Sequence, residues 1–164
     1  MSLPSWLPPL FSINPWRHDT YELLYQIFHK DFISHKVKYL ENKIIISKLK
    51  DADKELTFWH ITTRENKEIK QASERFPDFR RCERLPWLRP MIEGCPHTDI
   101  LSWENLEGDG TIKVYVWLKE YDYIAILKKT NKGLILITAY WLEYENAKRK
   151  LIKKYEARNK EANA

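Results

Sequence analysis

Long apolar runs are missing from this sequence. The longest, such as Leu134–Ile137, are strand-sized, well short of the roughly 18 apolar residues that a membrane-spanning helix needs, so no bilayer crossing is expected. Glycine is scarce, with 4 among 164 residues. No G-x-x-x-x-G-K-[ST], G-x-G-x-x-G or G-x-S-x-G pattern occurs, so phosphate-cradling loops, dinucleotide clefts and nucleophile elbows have no sequence support. The 2 cysteines, Cys82 and Cys95, do not combine with His97 into the paired spacing of a zinc site. They read as reduced thiols, and neither metal nor cofactor is expected. Met1–Leu10 carries Pro4, Pro8 and Pro9 and no basic stretch ahead of an apolar one, which is unlike a secretory leader and makes the cytoplasm the expected compartment.

What is present points to one globular domain over residues 1–164. A content of 43% hydrophobic and 13% aromatic residues is enough to close a core, and 31% charged residues fit a soluble surface. The net charge of +5 is a modest excess that favours a polyanionic partner, although part of it lies in Lys148–Lys160.

Residues 1–18 are proline-punctuated and should run extended over the body, burying Trp6, Leu7, Leu10, Phe11 and Trp16. Asp19 or Thr20 then caps a helix to about Phe28. Lys36–Leu40 and Lys43–Lys48 read as a short hairpin, Leu56–Thr62 as a further strand, Glu65–Phe76 as a polar helix or loop, and Asp78–Leu85 as a helix. From Ile100 the pattern becomes a meander: Ile100–Leu106, Thr111–Leu118, Tyr121–Lys128 and Gly133–Tyr140, with short turns between antiparallel neighbours. The third of these is apolar without interruption and should be covered on both sides. A basic helix follows at about Glu143–Arg158, within a C-terminal segment of residues 143–164, with Ala147, Leu151 and Tyr155 on one side. The fold class is α+β: an antiparallel meander sheet with the N-terminal and C-terminal helices on one face.

Three groups could carry chemistry. In Trp59-His60-Ile61-Thr62-Thr63-Arg64 an imidazole suited to proton transfer near neutral pH runs into Thr62 and Arg64; the plainer alternative is a core histidine bonded to its neighbours. In the segment Arg80–Arg89, Arg80, Arg81, Arg84 and Arg89 are interleaved with Trp87, combining phosphate grip with a stacking surface; the alternative is a surface helix in ion pairs, with Trp87 in the core. Thr138 and Tyr140 share a face of the last strand, where they could orient a phosphate or a base, or else serve as a buried threonine and a rim tyrosine.

The order of these pieces, Trp59-His60-Ile61-Thr62, then Arg80–Arg89, then Thr138-Ala139-Tyr140, resembles the barnase, EndoU, colicin and RelE-like ribonuclease superfamily, in particular its phage and mobile-element branch. The likeness spans roughly residues 37–142. It implies a toxin-type endoribonuclease in which the RNA 2′-OH attacks its own phosphodiester without a metal, leaving a 2′,3′-cyclic phosphate. His60 would act as base or acid, with Arg64 or Tyr140 as substitutes in that role. Arg80, Arg84 or Arg89 would stabilise the phosphorane, Thr138 and Tyr140 would position the scissile group, and Arg80, Arg81, Arg89, Trp87 and Thr62 would bind the RNA. A cognate antitoxin or inhibitor is a further partner implied by the likeness. Two other classes stay open: a non-catalytic nucleic-acid-binding module, and a protein-binding subunit of a toxin–antitoxin or phage-defence system, with Tyr115, Trp117, Tyr121 and Tyr123 as its interface.

Overall fold

The computed structural model describes residues 3–162, and side chains as far as residue 158. Four strands form the expected meander: β5 (Leu101–Leu106), β6 (Ile112–Leu118), β7 (Tyr123–Lys129) and β8 (Leu134–Trp141). Each pair is antiparallel, in registers that include Trp103↔Tyr115, Val116↔Ala125 and Ile124↔Tyr140. The turns follow from local chemistry: the Asp109 carboxylate accepts from the backbone and hydroxyl of Thr111, and Gly110 takes a positive φ of 88° that few other residues tolerate.

Upstream, β1 (Lys38–Tyr39) and β2 (Asn42–Ile45) make the expected hairpin, and β2 joins β8 in parallel through Ile44↔Leu134 and Ile45↔Ile135. The sheet order is therefore β1-β2-β8-β7-β6-β5, with a separate small ribbon of β3 (Lys50–Asp51) and β4 (Lys54–Glu55). Among the described residues, the outer side of β8 has no strand partner beyond Ile135, and a helix packs there instead.

That helix is α2 (Leu56–Thr62), in the segment expected to be a strand. Its β-branched and aromatic composition favours a strand, but Thr57, Phe58, Trp59, Ile61 and Thr62 are all buried, a pattern without the two-residue period of a sheet face. Thr62 and Thr63 place their hydroxyls on the carbonyls of Phe58 and Trp59, a back-bond that lets threonine sit in a helix. The neighbouring stretch of residues 65–76 is irregular apart from one 3₁₀ turn, Ala72–Glu74.

The remaining helices are α1 (Thr20–Phe28), which runs on into a π-helical turn at His29–Ile33, α3 (Phe79–Arg84), α4 (Leu88–Glu93) and α5 (Glu145–Ala162). Asp78 caps α3 by accepting from the Arg81 backbone N–H. The α+β class is as expected, but the helices do not share a face. Phe28, Phe58, Cys82 and Met91 join Val114, Val116, Ala125 and Leu136 in the larger core, while Leu151 of α5 packs with Trp103, Tyr115, Trp117 and Ile124 on the opposite side. Basic composition hid this, because α5 presents only a narrow apolar edge of Ala147, Leu151, Ile152 and Tyr155 to the sheet. β7 is accordingly central and buried on both faces, as its unbroken apolar run indicates.

Tyr115, Trp117 and Tyr123 are buried and Tyr121 is half-buried against the larger core, so this set fills the two cores instead of forming an interface. Cys82 and Cys95 are free and buried. The N-terminal segment is tied down where Trp87 Nε1 donates to the Pro8 carbonyl at 2.9 Å and the Phe11 N–H to the Glu83 carbonyl at 2.8 Å. Leu7 is buried as expected, whereas Leu10 remains exposed. No helix among the described residues is long and apolar enough to cross a membrane.

The docking of α5 is open to a stability measurement. Leu151→Ala should cost roughly 2–4 kcal/mol in chemical denaturation, as a buried leucine does, while Arg149→Ala on the exposed side should change stability by less than about 0.5 kcal/mol. Equal, small effects would mean that α5 is not packed on the sheet.

Candidate functional site

A cleft of about 300 Å³ opens where α2 meets the outer side of β8, lined by His60, Glu65, Arg75, Arg81, Ile137, Thr138 and Tyr140. Its shape depends on an irregularity in β8. Ile126 pairs with Thr138 but Leu127 pairs with Leu136, so Ile137 is an extra residue, a bulge. Leu134 and Leu136 point into the larger core, and the bulge reverses the alternation so that Tyr140 belongs to the opposite face, in register with Ile124. Without it, Thr138 and Tyr140 would follow Leu136 into the core.

His60 lies in the last turn of α2, half-buried. The Arg75 Nη1 lies 3.3 Å from its Nδ1. Guanidinium only donates, so Nδ1 accepts and the proton of the neutral ring is on Nε2. Burial lowers the His60 pKa from 6.5, and the Arg75 and Arg81 charges push the same way, with Glu65 opposing. The imidazole is therefore neutral at neutral pH, the state a general base requires.

Arg81 is the structural centre of the cleft. Its Nη1 donates to the carbonyls of His60 at 2.8 Å and Thr63 at 2.7 Å, groups that the end of α2 leaves without helical partners. Its Nε is 3.5 Å from the Asp78 carboxylate, and its guanidinium carbon lies 5.5 Å from the Tyr140 ring centre. Thr138 donates its hydroxyl to the same His60 carbonyl at 3.3 Å. Burial raises the Tyr140 pKa against the opposing charges of Arg81 and Lys154, so the phenol stays protonated and able to donate. The Nε atoms of Arg75 and Arg81 are both buried without a hydrogen-bond partner.

Of the residues singled out from sequence, His60, Arg81, Thr138 and Tyr140 thus come together, and the others do not. Thr62 is fully buried with its hydroxyl on the Phe58 carbonyl. Trp87 is 1% exposed and packs in the core, which leaves no face for a base. Arg84 is held between the rings of Trp87 and Trp141, at 5.4 and 5.6 Å, and donates to the Arg80 carbonyl and to Glu83. Arg89 lies at a different pocket, paired with Asp31 and Glu93. Arg64 and Arg80 line a neighbouring groove. Glu65 and Arg75 were not anticipated: both lie in the irregular segment, where no periodicity marks a residue and the one hint is a long charged loop. Among the described residues, no three His, Cys, Asp or Glu side chains gather as they would around a metal ion.

Comparisons with protein-family models, with curated proteins and with solved structures gave no match.

Two measurements check this geometry. Arg81→Ala should cost about 2–4 kcal/mol, because it strands the carbonyls at the end of α2 and leaves Asp78 without this buried partner; a loss no larger than that of Arg80→Ala would contradict the tether. The second concerns pH. A histidine whose folded pKa is depressed favours the neutral folded state, so its contribution is complete above the unfolded value near 6.5 and is lost as pH falls through the folded pKa. His60→Gln should therefore show a shallower decline in melting temperature below pH 6.5 than wild type.

Proposed function

We propose that this chain is a toxin-type endoribonuclease that cleaves RNA by internal transesterification. The observation that carries the reading is the shared cleft, where a neutral histidine, two guanidinium groups and two hydroxyls from four separate chain segments surround one space large enough for a phosphodiester. The resemblance of the motif order to known ribonucleases supports the same chemistry.

In this reading a phosphodiester entering the cleft draws the Arg75 guanidinium away from His60, since a charge-assisted pair with phosphate is stronger than a hydrogen bond to a neutral ring. Nδ1 is then free to take the proton of the 2′-OH. The 2′ oxygen forms its bond to phosphorus, the bond from phosphorus to the 5′ oxygen breaks, and that oxygen takes a proton from water at the mouth, where Glu65 is exposed. Arg75 and Arg81 stabilise the charge that builds on the phosphorane, and Tyr140 donates to it. DNA lacks the attacking hydroxyl and would persist.

A second reading, binding without turnover, is favoured by the hydrogen bonds that already occupy Arg81 and Thr138. Incubating the protein with mixed cellular RNA in EDTA separates the two. The ribonuclease reading expects cleavage with 2′,3′-cyclic phosphate ends, a loss of roughly 10²–10⁴-fold in rate for His60→Ala at an unchanged melting temperature, and an acid limb of kcat/KM that falls below pH 6.5, following the depressed His60 pKa. Salt-sensitive binding with no cut, cutting that requires added metal, or full activity in the variant would each reject it.

A further inference from the structure

On the other side of Asp78 from the cleft runs an open groove of about 940 Å³, and its walls combine Trp16, Phe76, Phe79 and Trp141 with Arg64 and Arg80. The exposed aromatic residues of the described chain concentrate here. Phe76 is 69% and Phe79 51% exposed, and Tyr144, the other aromatic residue among the exposed large hydrophobics, follows directly on Glu143 of the groove rim. Exposing two phenylalanines is unfavourable in water, whereas the neighbouring Trp87 and Phe58 are fully covered.

The charge that faces solvent in this groove is mainly cationic, although acidic residues line it too. The side chains of Arg64 and Arg80 are 71% and 59% exposed, whereas those of Asp78 and Glu83 are 16% and 19% exposed, and each carboxylate is shared by two arginines: Asp78 by Arg64 and Arg81, Glu83 by Arg80 and Arg84. Glu143 is the exposed carboxylate at the rim. Arg80 lies 5.9 Å over the Trp141 ring and Phe79 packs 5.6 Å from Trp16, so the groove wall holds guanidinium and aromatic surface side by side. Groove and cleft are joined through one carboxylate: Asp78 Oδ2 is 3.7 Å from Arg64 Nε on the groove side and 3.5 Å from Arg81 Nε on the cleft side.

We infer that this groove binds an unpaired stretch of the RNA strand next to the scissile phosphate, with bases on Phe76 and Phe79 and phosphates on Arg64 and Arg80. The inference rests on the ribonuclease reading for its occupant. Rings of this kind accept any base with an open π-face and cannot stack on bases held inside a helix, so the groove selects single strands without reading sequence. Arg64 and Arg80 keep most of their side-chain surface in water, whereas Arg81 at the cleft is 18% exposed and held by two backbone carbonyls.

The test uses a fluorescein-labelled single strand of about ten nucleotides, 2′-O-methylated throughout so that no 2′-OH is available for cleavage, and follows anisotropy on titration with the intact protein. Phe76→Ala with Phe79→Ala should weaken binding about 10-fold or more while leaving the protein folded with only a small loss of melting temperature, because both rings are more than half exposed. Arg80→Ala should flatten the salt dependence, and the same probe annealed to its complement should bind no better than the double variant binds the single strand. Unchanged affinity in the double variant, or equal affinity for the duplex, would overturn the inference. So would a wild-type protein that self-associates through these rings, with a monomeric double variant that still binds the probe. His60→Ala should bind the probe as wild type does, which keeps the two readings apart. RNA that is bound through Phe76 and Phe79 but never cut would remove the ribonuclease and leave the groove, whereas cleavage lost in His60→Ala beside intact probe binding in the double variant would do the reverse.

Discussion

One extra residue in β8 decides what this sheet can do. A regular β8 would send Thr138 and Tyr140 to the face of Leu134 and Leu136, into a core already filled by Phe58, Ile61 and Val116. The bulge at Ile137 lets a single strand serve both faces, with apolar anchoring in its first half and hydroxyl-bearing side chains in its second. It falls just past Ile135, where β2 has ended and β8 has lost its strand neighbour on that side. The strand is free to bend there because no second ladder constrains it.

The vacant edge has a second effect. A helix end cannot complete a sheet ladder, and the carbonyls of His60 and Thr63 at the end of α2 need donors from elsewhere. Arg81 supplies them from α3, and Thr138 adds a third contact from β8. A single guanidinium therefore closes the junction of two helices and a strand, and its charge is left beside His60. The same charge helps to keep the imidazole neutral, so the tether and the electrostatics of the cleft have one source.

Much of the architecture was legible from hydrophobic period and turn chemistry. The meander, the first helix, the β1–β2 hairpin and the central position of β7 all show in the pattern of residues such as Val114, Val116 and Ala125. Three features were hidden for identifiable reasons. The segment Leu56–Thr62 has strand composition, yet five of its seven residues are buried in a pattern without a two-residue period, and the segment is a helix. The bulge lies inside the apolar run Leu134–Ile137, where every residue looks alike and the phase of alternation is invisible. The arginine-rich segment shows a set of cations but not which are held by backbone: Arg81 and Arg84 are fixed, Arg80 is exposed, and Arg75, from a stretch with no period, is the one against His60.

Trp87 illustrates why composition misplaces stacking residues. An aromatic ring amid arginines looks like a base platform, yet the ring that reaches water is set by the face of the helix on which it falls. On the short helices from Phe79 to Glu93, Cys82, Leu85, Leu88 and Met91 are buried with Trp87, whereas Phe79 and Arg80 fall on the outside. Large apolar side chains can stay exposed at modest cost when they are few, and Phe76 and Phe79 concentrate that cost at one groove. Arg64 and Arg80 in the same groove each share their acidic partner with a second arginine, Asp78 with Arg81 and Glu83 with Arg84, so their exposed positive charge is only partly offset. The burial of Asp78 and Glu83 thus leaves the arginines as the more exposed partners of each pair.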